Sequence, residues 1–343
     1  MRSHPLFHSI IMPAALTLLA CGPAHAAADT AFAPIDFSLR FPAALAKFSS
    51  YADVAASGGA SAGSRYGSGI NPASLDWQTA PDAPFAVSPQ VSNVKFDHGA
   101  SLRVATLSGA WSNAYGTFQP SHARVTNDGN GGDPYILADG DVTQVQWGKK
   151  LDSRVAVGLN VSRSQFRTRA GFGGQLAADG SSSTDSVRGG VLWALSPDLL
   201  AGLVADVASG HSDTSLLDPG CMCFVQARDT SRSGTARIGV SYRYAPQSSV
   251  YADYLVGRYR NGPASMVSRT AMAGAEHLVL PWLYLRAGVA WETRGAWGKS
   301  FGVGVMPSKT VSIDLALQRD MFPELHPEFG RASLANLSVS VAF

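Results

Sequence analysis

The sequence predicts an all-β protein: an antiparallel, up-and-down transmembrane β-barrel with an N-terminal plug. Three observations predict it. Side chains alternate with period two along most of the chain. Connections alternate between short and longer links. The composition is poor in charge, yet no apolar run after the first segment reaches the roughly 18 residues of a membrane helix.

Composition sets the outer bounds. Charged residues are 15% of 343, and 27 Lys plus Arg against 25 Asp plus Glu leave a net charge of +2. An ordinary soluble protein carries roughly 25% charged residues. Near-zero net charge argues against a nucleic-acid partner. An apolar content of 45% excludes an extended disordered chain. Three cysteines are too few for a disulfide scaffold.

The period-two signal is plainest late in the chain. Val311, Ile313, Leu315 and Leu317 share one face, opposite Ser312, Asp314, Ala316 and Gln318. Leu337, Val339, Val341 and Phe343 oppose Ser338, Ser340 and Ala342. Leu283, Leu285, Ala287, Val289 and Trp291 oppose Tyr284, Arg286, Gly288, Ala290 and Glu292. A strand sends successive side chains to opposite faces, whereas a helix would scatter each set around its axis. Each strand thus has one face for lipid and one for a lumen.

Strands are expected near 141–150, 153–167, 185–196, 199–211, 229–245, 248–260, 267–278, 282–293, 297–306, 309–320 and 333–343. Tight turns fall at Leu151-Asp152, Pro197-Asp198, Pro246-Gln247, Pro281 and Pro307-Ser308. Longer links fall at 168–184, 212–228, 261–266, 294–296 and 321–332. Such alternation places every tight turn on one side of a sheet, the layout of a membrane barrel. A Greek-key sandwich gives no reason for it. An even strand number requires one or three strands from 84–120. One near 101–119 gives 12; three near 85–95, 99–109 and 111–122 give 14, the favoured count.

A closed sheet is required because every backbone N–H and C=O in hydrocarbon must be paired internally. Gly158, Gly190, Gly202, Gly239, Gly257, Gly274 and Gly288 suit an inner face or tight curvature. Trp193, Tyr242, Tyr244, Tyr251, Tyr284 and Trp291 are candidates for interfacial girdles. Arg286, Glu292 and Asp314 are expected inside the barrel. Phe343 is a lipid-facing residue of the closing strand. It is similar to the terminal aromatic signal read by the bacterial barrel-assembly machinery.

Residues 1–26 read as an export signal: Arg2, an apolar run from Ile10 to Ala20, then Ala24-His25-Ala26. Cleavage after Ala26 is favoured over lipoprotein processing at Cys21. The remaining chain divides into an N-terminal segment, 27–83, and the barrel, 84–343. Within the former, Phe37, Leu39 and Phe41 alternate briefly, and a helical turn or two is expected over Phe41–Phe48 after Pro42.

The stretch from Ala60 to Leu75, ending Asn71-Pro72-Ala73-Ser74-Leu75, resembles the N-terminal hatch of the FadL/TodX outer-membrane transporters of hydrophobic compounds. The resemblance implies a bacterial outer-membrane channel in which residues near 28–83 plug the lumen. Arg65, Tyr66, Asn71, Pro72 and Leu75 would then mark the hatch and ligand path. Its partners would be outer-membrane lipids and a small hydrophobic ligand, such as a fatty acid or aromatic hydrocarbon, that exits sideways through the wall. Asn71 is expected to bond backbone and Pro72 to fix the next φ. A structural or partner-binding barrel and a diffusion porin are the alternatives.

Chemical sites are sparse, and neither an enzyme, a cofactor nor a metal is expected. Cys221 and Cys223 suggest a loop disulfide. Asp128 to Asp133 is similar to a calcium loop but lacks two of its ligands. Asp206 and Ser209 have opposite parity, which speaks against a triad with His211. Glu324 and His326 are expected as solvated loop surface.

Overall fold

The computed structural model describes residues 37–78, 83–97, 99–127, 135–172, 175–218, 223–293, 295 and 297–343. The export-signal reading and the calcium-like loop lie outside them. Fourteen antiparallel strands close into one barrel in sequence order, with β1 paired to β14. They are β1 (Phe85–Phe96), β2 (Ser101–Asn113), β3 (Gly116–Thr126), β4 (Tyr135–Lys150), β5 (Val155–Phe172), β6 (Gln175–Ala194) and β7 (Leu199–Asp218). The second half is β8 (Cys223–Ala245), β9 (Ser248–Asn261), β10 (Ala264–Leu280), β11 (Leu283–Glu292), β12 (Trp297–Ser308), β13 (Val311–Arg319) and β14 (Ala332–Ala342). The count of 14 is the favoured one.

The barrel closes through its chain end. Phe343 N donates to Phe85 O at 2.9 Å and Phe85 N to Phe343 O at 3.1 Å. The two rings stack 6.2 Å apart, and Phe343 is 63% exposed on the outer face. Leu315, Leu317, Leu337 and Val341 are likewise exposed, while Ala316, Gln318, Asn336 and Ser338 are buried inside. Leucine at 45–54% exposure on the outer wall is explained by lipid contact, not by a water-soluble surface.

Two aromatic groups border this apolar band. Phe85, Trp111, Phe118, Trp193 and Phe343 lie near the tight-turn end, with Trp111 and Phe118 stacked at 4.9 Å. Trp291 and Trp297 stack at 6.0 Å near the other. Trp193 and Trp291 therefore face outward as girdle residues. Tyr251 and Tyr284 do not: both are 8% exposed and point inward, because their strand parity is that of the lumen.

The longer links at 168–184, 212–228 and 261–266 are corrected. Pairing continues through much of these regions, making β5 to β8 18, 20, 20 and 23 residues long. A strand tilted as in such barrels climbs about 2.5 Å per residue, so about ten residues cross an apolar band of about 25 Å. The excess projects beyond lipid. There both faces meet water and period-two hydropathy vanishes: Ser181, Ser182, Ser183 and Thr184 run consecutively within β6. Cross-strand ion pairs, Arg167–Asp179 at 2.8 Å and Arg228–Asp213 at 2.7 Å, replace it. Cys223 opens β8 and is disulfide-bonded, while Cys221 lies outside the described residues.

The tight turns carry their own caps. In the turn after β4, Asp152 accepts from the N–H groups of Arg154 and Val155 at 2.6 and 2.8 Å. Those bonds hold its carboxyl below the ordinary carboxylate pKa.

Residues 37–78 occupy the lumen. α1 (Phe37–Leu45) carries Pro42 inside it, so the helix begins before the expected turn and replaces the brief alternation at 37–41. Its Leu39 and Ala43 pack against Tyr259 and Met266, near the loop end of β9 and β10. α2 (Ala52–Ala56) lies against β12 and β13, and a 3-10 turn, Pro72–Ser74, leads into α3 (Leu75–Gln78) against β3 and β4. The segment thus descends from the loop end to the tight-turn end.

Over the loop end lies the β13–β14 connection, with a 3-10 turn at Pro323–Leu325 and α4 (His326–Phe329). Its Met321, Phe322 and Leu325 join one apolar cluster with Phe41, Phe48, Phe96 and Leu334. Glu324 and His326 are therefore not solvated surface. They are 0% and 7% exposed, because the loop folds inward onto this cluster.

Candidate functional site

The plug meets the wall through glycines. A Cβ at Gly148, Gly158, Gly190, Gly202, Gly274, Gly288 or Gly302 would overlap plug atoms between Ala56 and Pro72. Only a missing side chain allows backbone to lie this close to a strand. Five of the seven inner-face glycines expected from sequence belong to this contact. Gly239 lies beneath Asp253, and Gly257 beneath Tyr259 of its own strand.

Asn71 locks the lower turn. It is 0% exposed; Oδ1 accepts from Ala73 N at 3.0 Å, and Nδ2 donates to Ala62 O at 2.8 Å and to Val191 O of the wall at 3.1 Å. Pro72 begins the 3-10 turn, where its missing N–H costs nothing. Pro72 and Leu75 press on Gly148. Arg65 lies 4.7 Å from the ring centroid of Trp77. Tyr66 is 55% exposed and borders a small cavity between plug and wall with Asp53, Tyr251, Glu276 and Arg286. The five expected hatch residues thus sit in one stretch, but two make different contacts from the rest: Arg65 stacks on the plug itself and Tyr66 faces out of it.

Three ionic groups line one side, and two of them bond the plug directly. Arg237 and Asp253 pair at 2.8 Å, 4% and 0% exposed in their side chains. Asp253 Oδ2 also accepts from Ser61 N at 2.9 Å and Ala62 N at 2.8 Å, and Arg237 donates to Gly59 O. Arg286 bridges Glu276 and Asp314 at 2.5 Å each. Lys47 meets both oxygens of Glu324 at 2.7 and 2.6 Å, tying the plug to the inward-folded loop. Arg286, Glu292 and Asp314 face the lumen as their parity requires. The Lys47–Glu324 pair escaped sequence reasoning, because its members are 277 positions apart and neither lies on a period-two segment.

The opposite wall is neutral above the tight-turn end, where plug Asp76 accepts from Thr117 Oγ1 at 2.7 Å and Lys150 N at 2.8 Å. Tyr51 of the plug faces Gln90, Ser108 and Gln119 on β1, β2 and β3. Thr106 Oγ1 and Gln146 Oε1 are buried there without a hydrogen-bond partner among the described residues. The wall is weakened on this side. The β2–β3 ladder steps from Ser108–Ser121 to Trp111–Phe118 and skips Gly109, Ala110, Gln119 and Pro120 without a change of register. The β1–β14 ladder likewise skips the positions of Ser88 and Pro89. Both skips contain a proline, which has no N–H to give. At the second, Ser88 Oγ donates to Ser340 Oγ at 2.9 Å and bridges the strands.

Asp206, Ser209 and His211 do not converge. Asp206 points inward to Arg188 at 3.2 Å, whereas Ser209 and His211 are exposed on the other face. No group of three potential metal ligands occurs among the described residues.

Fold and site together define a plugged 14-stranded membrane barrel. No protein-family profile matches the chain, and no curated protein matches it in sequence. Solved structures do match. The Pseudomonas putida toluene transporter TodX is similar with a TM-score of 0.55 at 15% identity, covering 85% of this chain and 98% of TodX. A Pseudomonas aeruginosa FadL homologue is similar with a TM-score of 0.53 at 14% identity, covering 86% and 99%. The chain therefore has the FadL/TodX fold.

Proposed function

We propose that the protein is a bacterial outer-membrane channel for small hydrophobic compounds, such as fatty acids or aromatic hydrocarbons, which leave sideways through the wall between β2 and β3. The observation that carries this reading is the interrupted β2–β3 ladder beside a plugged lumen. A plug that packs against inner-face glycines on seven strands disfavours an open diffusion porin. An apolar solute loses nothing by stepping from a wall opening into lipid, whereas crossing to water exposes its surface again. The similarity to a toluene transporter supports the same class of cargo.

The route begins at the apolar cluster under the β13–β14 loop, passes the neutral side of the plug and ends at the skipped ladder. Outer-membrane lipids receive the cargo, and Phe343 serves insertion by the barrel-assembly machinery. The test is uptake of radiolabelled oleate and toluene by a strain lacking the gene, with and without the gene restored. Restored uptake of either compound supports the proposal. Unchanged uptake of both, with a large ion conductance for the purified protein in planar bilayers, would establish a porin instead.

A further inference from the structure

The outer wall carries exposed arginines of two kinds. Arg163, Arg167, Arg228 and Arg319 each have a carboxylate partner, at 3.8, 2.8, 2.7 and 3.6 Å. Arg232, Arg258, Arg260 and Arg269 have no ion pair among the described residues, and all four are exposed. Strand register gathers them into one patch. Arg232 of β8 and Arg260 of β9 are direct Cα partners. Arg258 is the next outward position below Arg260, opposite Val267, and Arg269 is the next outward position after Val267 on β10.

Like charges placed directly opposite in an antiparallel pair destabilise the sheet. No acidic side chain occupies the outward positions paired with them: Ser209, Gly234, Val256, Ser265 and Val267 do. Such an arrangement is stabilised when an anion lies across it. Below the patch, on the same face, the wall is apolar: Ile238, Val240 and Tyr254 are exposed, and Val267 lies between the arginines. Trp291 and Trp297 stack at the same border on the adjoining strands.

The height of the patch identifies the anion. Counted from the tight-turn ends at Ala245, Ser248 and Leu280, the four arginines lie 10 to 13 residues up their strands. At about 2.5 Å per residue that is roughly 25–33 Å, against an apolar band of about 25 Å. The guanidinium groups therefore reach the headgroup layer of the far leaflet.

We propose that Arg232, Arg258, Arg260 and Arg269 form a binding site for a phosphorylated, multiply acylated lipid of the external leaflet. Its phosphates lie among the guanidinium groups, and its acyl chains lie on Ile238, Val240 and Tyr254. Guanidinium forks match phosphate oxygens bidentately, and the neighbouring apolar wall supplies what free phosphate cannot use. The inference rests on the membrane placement argued above and is independent of the cargo.

The test is native mass spectrometry of the full chain in neutral detergent, titrated with bisphosphorylated lipid A, dephosphorylated lipid A or phosphatidylcholine. The phosphorylated form is expected to bind at least about tenfold more tightly than the other two, with the preference falling as salt rises. Arg258→Gln with Arg260→Gln is expected to remove that preference, while Arg163→Gln retains it. Equal binding of phosphorylated and dephosphorylated lipid by the unaltered protein would overturn the proposal without recourse to any variant. So would an undiminished preference in the folded double variant. Insertion into phosphatidylcholine vesicles is measured in parallel. Failure to insert refutes the membrane reading, whereas insertion without phosphate preference refutes the lipid site alone.

Discussion

The two sides of the lumen differ in what they offer the plug. On β8 to β13 the inner wall presents Arg237, Asp253, Glu276, Arg286 and Asp314, and Asp253 holds the plug backbone directly. On β1 to β4 it presents Gln90, Thr106, Ser108, Gln119 and Gln146, neutral groups of which several lack firm partners. Charge-assisted bonds in a dry interior are strong and intolerant of change, while neutral ones exchange readily with other polar groups. The plug is thus held by buried ion pairs on one side; on the other it is held by a charged group only at the tight-turn end, where Asp76 accepts from Thr117 Oγ1 at 2.7 Å and Lys150 N at 2.8 Å, and above that contact it is left yielding. The yielding side is the one where the β2–β3 ladder is broken.

Substitutions on the two sides are expected to separate accordingly. Asp253→Ala strands Arg237 in the interior and is expected to cost about 3–5 kcal/mol, read as a lowered urea midpoint of the folded barrel. Gly288→Leu drives a side chain into the backbone at Ser57 and Gly58 and is expected to cost about 3 kcal/mol. The matching control, Gly189→Leu, meets nothing within 4 Å and should leave the midpoint unchanged. Asn71→Ala removes three bonds at the base of the plug and should cost about 2 kcal/mol, with a rise in ion conductance as the lower turn loosens. Thr106→Val, on the yielding side, deletes a hydroxyl that has no partner among the described residues and should change stability by less than about 1 kcal/mol in either direction. A cost for Thr106→Val equal to that of Asp253→Ala would erase the contrast.

Sequence revealed the wall better than the anchors. Leu315, Leu337 and Val341 declare the lipid face because hydrocarbon imposes period two, and Gly202 and Gly288 declare the inner face by parity. The extension of β5 to β8 was hidden, since Ser181 to Thr184 face water on both sides and hydropathy carries no strand signal there. Asn71 was legible through its local motif. Lys47–Glu324 and Arg237–Asp253 were not, because each depends on the register of closure and on where the plug descends. A polar pair such as Glu324 and His326 has the same composition on a surface loop as on a loop folded inward. Only the apolar Met321, Phe322 and Leu325 around it mark the difference.

The broken ladder as the exit is tested most directly by closing it. Ala110→Cys with Gln119→Cys places thiols at facing skipped positions, and Ala252→Cys with Ala273→Cys places them across an intact β9–β10 pair. Uptake of labelled oleate and toluene is compared for each pair before and after oxidation. The account predicts that oxidation abolishes uptake for the β2–β3 pair, that reduction restores it, and that the β9–β10 pair is indifferent. Full uptake through a cross-linked β2–β3 wall would contradict it.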